Sequence, residues 1–541
     1  MSSQELDSTS AETRPAQTPR IESASDANEE PRHGKGNEDA EHGAGGLIPS
    51  AFASPRPPFG YWQQLVTAVV VGACLGLVGL GYLNLIYKVS ILWLQADSNE
   101  GFPNAATLRL GTGKAWWLCV CGGGGLVVGL VKAFVFKFDT YKSFMVELQE
   151  LKPDMVGNAR IAFCCMLSLF CGAAVGPEAG LGALGASISL ALCRGMIWCF
   201  ERAVALRRDD ALRAKNIDEQ QGSRRTMPAS EDGSLTNEVL RKLFALIGMA
   251  AAFASIFPTP IVAVVLVTEL GADLPTLGVS YMHGMTLLFT GCIAAKMTYE
   301  AVLPYTWLNL PSYGLYRLLE NITYSYSAGD VGVGILAGIL GGLMGVFFLL
   351  FGFLTKVLSR YLKAWLDARI RQSARIVLFS TLGGFILGGI GIAAPLTLGD
   401  GSIQLPHVFA DGKQIGSTSL AVSAFLKIVA YWVCTESGFV GGIFYPTLLA
   451  SACLAQVFLN ETSADVLVLS SCGLIAIATS FVPAPIALAL VSVSSFDLSA
   501  LATSPVLASV AASYLMNLGI GVPQGLAKAA ARRRAAGSQE S

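Results

Sequence analysis

Apolar residues along this chain gather into long blocks, and polar positions are confined to the gaps between them. Five blocks, at about 62–95, 115–137, 279–302, 330–357 and 376–394, are long enough for a helix to cross a hydrocarbon layer roughly 30 Å thick. Shorter apolar runs broken by Gly or Pro lie near 160–175, 181–200, 241–257, 260–270, 418–434, 447–458, 465–481, 485–493 and 502–520. Lipid offers no hydrogen-bond partner to a freed backbone group, so interrupted segments persist at membrane depth only where protein or a water-filled cavity covers them. The pattern predicts an all-α polytopic membrane protein, seated in a lipid bilayer, whose tilted and broken helices enclose a polar path.

The gaps orient the chain. Basic residues collect at 202–225 (Arg202, Arg207, Arg208, Arg213, Lys215, Arg224, Arg225), at 356–375 (Lys356, Arg360, Lys363, Arg369, Arg371, Arg375) and near the end (Lys528, Arg532 to Arg534), which assigns all three to the cytoplasm. Residues 1–58, polar and nearly free of aromatics, read as a disordered tail without the apolar core of a signal peptide. The membrane domain divides into a first half, 59–302, carrying a cytoplasmic insertion at about 202–240, and a second half, 303–525. Residues 526–541 form a short basic tail, and both termini are expected in the cytoplasm.

Composition narrows the chemistry. Only 14% of the 541 residues are charged, against 53% hydrophobic, and the formal net charge of -1 gives no field for binding nucleic acid. The 12 Cys lack the paired spacings of a metal site or disulfide framework, and only four His occur, two of them (His33, His42) in the tail. No cofactor or metal is implied. The 58 Gly fit helices that approach closely in lipid, where packing holds them together.

An internal repeat is visible. "GMAAAFASIFPTP" (248–260) aligns with "GLIAIATSFVPAP" (473–485) at an offset of 225, with 5 of 13 positions identical, among them Pro258/Pro483 and Pro260/Pro485. Corresponding Pro-interrupted segments in two halves predict a repeated transporter architecture whose binding site is built from broken helices near the midplane.

Two Gly-rich stretches carry the candidate site. In "AAVGPEAGLGALGAS" (173–187) a single carboxylate, Glu178, stands among small residues, and an ionisable group inside a span is a functional candidate by default. The structural alternative is a Glu that merely caps its own helix. The second stretch is "SGFVGGIFYPTLLA" (437–450). Helix N-termini carry partial positive charge through free N–H groups. Gly176, Pro177, Ala179 and Gly180 on one side, and Gly442, Ile443, Phe444 and Tyr445 on the other, would supply two such ends, which the family resemblance given below assigns to one anion path. Gly176 and Gly441 open the two elements 265 residues apart (441 − 176), against 225 for the later pair, so the first half holds 40 extra residues, supplied by the polar 202–240 stretch.

With these residues in hand, the chain resembles the voltage-gated chloride channel (ClC) family of anion channels and proton-coupled anion antiporters. "GPEAGLGALG" (176–185) is similar to the family's gating-glutamate element, with Glu178 at the glutamate. "GGIFYP" (441–446) looks like its Gly-Ile-Phe-X-Pro element, and Gly248 to Glu269 resembles its alanine-rich helix pair. The resemblance covers about 60–525. It implies an inverted repeat, a homodimer with one path per subunit, and passage of chloride or a similar anion, with exchange for protons through Glu178 as gate.

For exchange, the candidate internal proton acceptor is Glu238, ten residues before Gly248; a solvated carboxylate at a helix start is its bland reading. Departures from the family are also visible: Pro177 replaces its basic residue, Ala179-Gly180 replaces its Gly-Pro, and its inner serine loop has no clean counterpart. Thr140 or Ser143 could supply that hydroxyl, and the pore tyrosine falls at Gly525. The expectation is modest discrimination between chloride and other small anions. Glu269 reads as a packing or surface ion-pair residue, and Lys427 as an intramembrane partner for a carboxylate or a snorkelling cation. A passive anion channel, a non-transporting scaffold and an intramembrane enzyme are the competing readings, the last lacking a second catalytic group because His283 and His407 lie in no recognisable motif.

Overall fold

The computed structural model describes residues 60–94, 103–138, 155–215, 232–270, 274, 279–305, 326–463 and 465–519. The N-terminal tail, Thr140, Ser143, Gly525 and the basic C-terminal tail lie outside the described residues. Helices account for nearly all regular structure: α1 (Tyr61–Leu94), α2 (Trp117–Leu130, continued by a π-turn Val131–Phe136), α3 (Met155–Phe170), α4 (Glu178–Lys215), α5 (Asp232–Ala254), α6 (Pro260–Glu269) and α7 (Tyr281–Val302) precede α8 (Ala328–Asp367). Then follow α9 (Gln372–Ala393), the short α10 (Leu405–Ala410) and α11 (Gly412–Ile415), α12 (Ser417–Ser437), α13 (Phe444–Glu461), α14 (Val466–Ala476), α15 (Ala478–Phe481), α16 (Pro485–Ser495) and α17 (Thr503–Gly519).

Among the described residues, six helices are long and apolar enough to span a membrane: α1, α2 with its π-turn, the Glu178–Phe200 part of α4, α8, α9 and α12. Two of these, in α4 and α12, are stretches whose sequence reads as too short. The reverse difference appears in the polar stretches. The basic residues after 202 continue α4 as far as Lys215, and those from Lys356 to Lys363 belong to α8. At 1.5 Å per residue, the 40 residues of α8 reach about 60 Å, twice the hydrocarbon thickness, so the helix is longer than a span requires.

Small residues dictate how these helices pack. A methyl group on Gly72 or Gly76 of α1 would strike the carbonyls of Gly291 and Ala295 on α7. In the second half, Gly334 and Gly338 of α8 meet the carbonyls of Pro505 and Ser509 on α17 in the same way. Glycine four residues apart removes the side chain at each crossing and lets backbones touch, which is the source of adhesion between helices in lipid. The two crossings obey constant offsets, 262 for the glycines (334 − 72 and 338 − 76) and 214 for the carbonyls (505 − 291 and 509 − 295). The repeat therefore governs packing well beyond the stretch in which sequence identity reveals it.

Helix breaks leave carbonyls without partners, and buried lysines serve them. Lys132 donates to the Gly438 carbonyl at 2.9 Å, Lys296 to that of Phe257 at 3.0 Å, and Lys427 to those of Thr397 and Gly399 at 3.1 and 2.7 Å. Lys427 is 1% exposed, so it does not snorkel; backbone carbonyls hold its ammonium, with the Asp400 carboxylate within electrostatic reach.

Candidate functional site

The two Gly-rich stretches meet in the interior. Gly176 and Gly442 form an isolated antiparallel bridge, each amide donating to the other's carbonyl at 2.8 Å. Two residues beyond each glycine a helix begins, at Glu178 for α4 and at Phe444 for α13. The halves are thus in register at an offset of 266 (442 − 176, 444 − 178), one more than the 265 read from Gly441. The adjacent glycines are indistinguishable in sequence, and only the reciprocal hydrogen bonds select Gly442. Part of the extra length of the first half lies in α4, which runs 38 residues against 18 for α13.

Glu178 is 6% exposed. Pro177 precedes it, where its missing N–H costs nothing, and the Pro177 carbonyl accepts from the Leu181 amide at 2.9 Å, starting α4. The carboxylate reaches across the bridge: Oε1 accepts the Tyr445 amide at 3.0 Å, in the first turn of α13. Oε2 is buried and has no hydrogen-bond partner among the described residues. Methyl groups on Gly176 or Gly442 would collide with this carboxylate, so both positions need the bare backbone. The Tyr445 hydroxyl donates to the Ile256 carbonyl at 2.9 Å, and the Phe257 and Phe444 rings meet edge to face at 5.1 Å, tying α5 and α13 around the bridge.

A cavity of about 280 Å³ lies against Glu178. Ala179, Gly442, Ile443 and Phe444, all anticipated from sequence, contribute to its walls. Gly176, Gly180 and Tyr445 stay behind them, with a methyl on Gly180 meeting the Tyr82 hydroxyl and Cys165. The sequence reading missed Lys356 of α8 and Tyr431, Thr435 and Glu436 of α12, which line the same cavity. Their signal was legible in part: positions 431 and 435 share one helix face, and polar residues on one face of a span flag an internal path.

Glu238 stands elsewhere, at the polar start of α5. Its side chain is 62% exposed and pairs with Lys242 at 2.7 Å, and it is not among the described residues lining the cavity. The hydrogen bond and charge of Lys242 hold its carboxyl below the usual carboxylate range. Glu269 is neither simple packing nor a surface ion pair. Its oxygens accept the amides of Ile486 and Ala487 at 3.0 and 2.8 Å, capping α16 from the other half.

Comparison with known proteins agrees with this geometry. A family profile described as "Voltage gated chloride channel" matches residues 124–518. No curated protein matches the sequence. Among solved structures, a slow cyanobacterial Cl-/H+ antiporter superimposes with TM-score 0.61 at 18% identity, over 87% of this chain and 99% of that one. A CLC-type fluoride/proton antiporter gives 0.54 at 16% identity over 85% and 96%, and a eukaryotic CLC transporter 0.55 at 13% over 85% and 72%. At these identities the likeness establishes a shared fold.

Proposed function

The chain belongs to the voltage gated chloride channel family, and from that premise we propose that this integral membrane protein exchanges chloride or a similar anion for protons, with Glu178 as both gate and proton carrier. One observation carries the reading: the Glu178 carboxylate accepts the Tyr445 amide in the first turn of α13, where a helix end presents partial positive charge to an anion. An ionised side chain that fills an anion site excludes the transported ion, and on protonation it gives up that claim. The unpartnered Oε2 supports the same role, because a buried charged acceptor without a donor is costly and persists where function requires it.

The anion path runs between Ala179 on one side and Gly442, Ile443 and Phe444 on the other, with Gly176, Pro177, Gly180 and Tyr445 shaping it. Thr140 and Ser143 remain candidates for a hydroxyl at the inner end. Family membership supports a homodimer with one path per subunit, and the basic ends of α4 and α8 support cytoplasmic termini. A passive anion channel is the second reading, and retention of Glu178 is compatible with it. Purified protein in liposomes separates them: an imposed chloride gradient drives protons through an exchanger, whereas a channel moves anions and no protons.

A further inference from the structure

Exchange needs a group that delivers protons from the cytoplasmic side, and the geometry points to Glu436 on α12, in place of Glu238, as the inner proton relay; this rests on the exchange reading of Glu178. Glu436 lines the cavity that Glu178 also lines. Its side chain is 18% exposed, enough to trade protons with the inner solution, while Glu178 is almost closed off. The basic end of α8, which charge places in the cytoplasm, surrounds it. Ser359 donates to Glu436 Oε2 at 2.8 Å, Lys363 approaches the same oxygen at 3.6 Å, and Lys356 shares the cavity wall with Tyr431 and Thr435.

Glu238 has the wrong surroundings for this work. It stands 62% exposed at the polar start of α5 and is not among the described residues lining the cavity that reaches Glu178. Between Glu436 and Glu178 the cavity has space for several waters at roughly 30 Å³ each. Once protonated, the Glu436 carboxyl gives up its O–H proton to a cavity water, which forms a new O–H bond and releases another of its protons along the water chain, until an O–H bond forms on the Glu178 carboxylate. Glu436 returns to its anionic form, and no other reactant is needed. The positive charges of Lys356 and Lys363 draw anions to the same cavity, so both transported ions would share one inner approach.

The test is simultaneous recording of chloride and proton flux from liposomes holding the full-length protein. Wild type is expected to move protons against a chloride gradient; if it moves none, the exchange reading falls and the relay with it. Glu436→Gln is expected to lower the ratio of protons to chloride at least tenfold, with Glu436→Asp recovering part of it. An unchanged ratio in Glu436→Gln, alongside a lost ratio in Glu178→Gln, overturns the relay and leaves the gate standing. Ser359→Ala guards against misfolding, since it keeps the carboxylate and removes one donor. Loss of the Ser359 donor frees the carboxylate that it positions, so the ratio of protons to chloride should change while chloride flux persists, and a ratio unmoved in this variant overturns the role.

Discussion

Glu178 and Phe444 occupy the same place in the two halves of the molecule, two residues past a bridging glycine and first in a helix, yet one is a carboxylate and the other a phenyl ring. The backbone frame is symmetric and the chemistry is not. A symmetric frame supplies two helix N-termini at one bridge; putting the charge on one half lets it reach the amides of the other, as Glu178 does with Tyr445. Phe444 meets the Phe257 ring instead. On the proposed function, the repeat builds an anion site and its asymmetry equips that site with a gate.

The sharpest way to break this difference is to remove the charge. Glu178→Gln is expected to abolish proton coupling while anions continue to pass, read as the proton-to-chloride ratio in liposomes. Full retention of coupling would take the gate away from position 178.

Next in size is an attack on the frame. Gly442→Ala places a methyl where Glu178 Oε2 lies, and displacement of about 1 Å at a positioned group costs on the order of 100-fold in rate. Anion flux should fall by about that factor. Combining Gly442→Ala with Glu178→Gly removes the clash, so the double variant should match Glu178→Gly alone, a non-additivity expected only of groups in contact. Equal losses in single and double variants would mean that the methyl acts elsewhere.

Much of this was legible before any coordinates. Block lengths identified the membrane class, and the two Gly-rich stretches singled out in the sequence, around Glu178 and Gly442, are the ones that meet at the bridge. What escaped had physical reasons. Register at Gly441-Gly442 depends on hydrogen bonds that identical side chains do not encode. Lys427 and Glu269 bind backbone groups of distant segments, and a backbone partner leaves no mark in residue identity. The cavity wall of α12 was obscured because Tyr431, Thr435 and Glu436 sit in a span that also reads as ordinary apolar helix.

The smallest expected effect sharpens the comparison at a second pair. α6 and α16 are repeat equivalents, each beginning at a proline, Pro260 and Pro485 (485 − 260 = 225). At the start of α16, Glu269 from the end of α6 accepts two amides; at the start of α6, the equivalent of Glu269 is Ser494 (269 + 225), whose hydroxyl faces that of Thr259 at 3.3 Å. One junction has a charged cap and the other a single neutral contact. Caps contribute about 1–2 kcal/mol when a side-chain acceptor serves orphan amides, and a lone hydroxyl contact at that length about 0.5 kcal/mol or less. In detergent, Glu269→Ala should therefore lower the thermal unfolding midpoint clearly, and Ser494→Ala should barely move it. Equal shifts would show that Glu269 contributes only as much as its neutral counterpart, and that the asymmetry of the halves is confined to the bridge at Gly176 and Gly442.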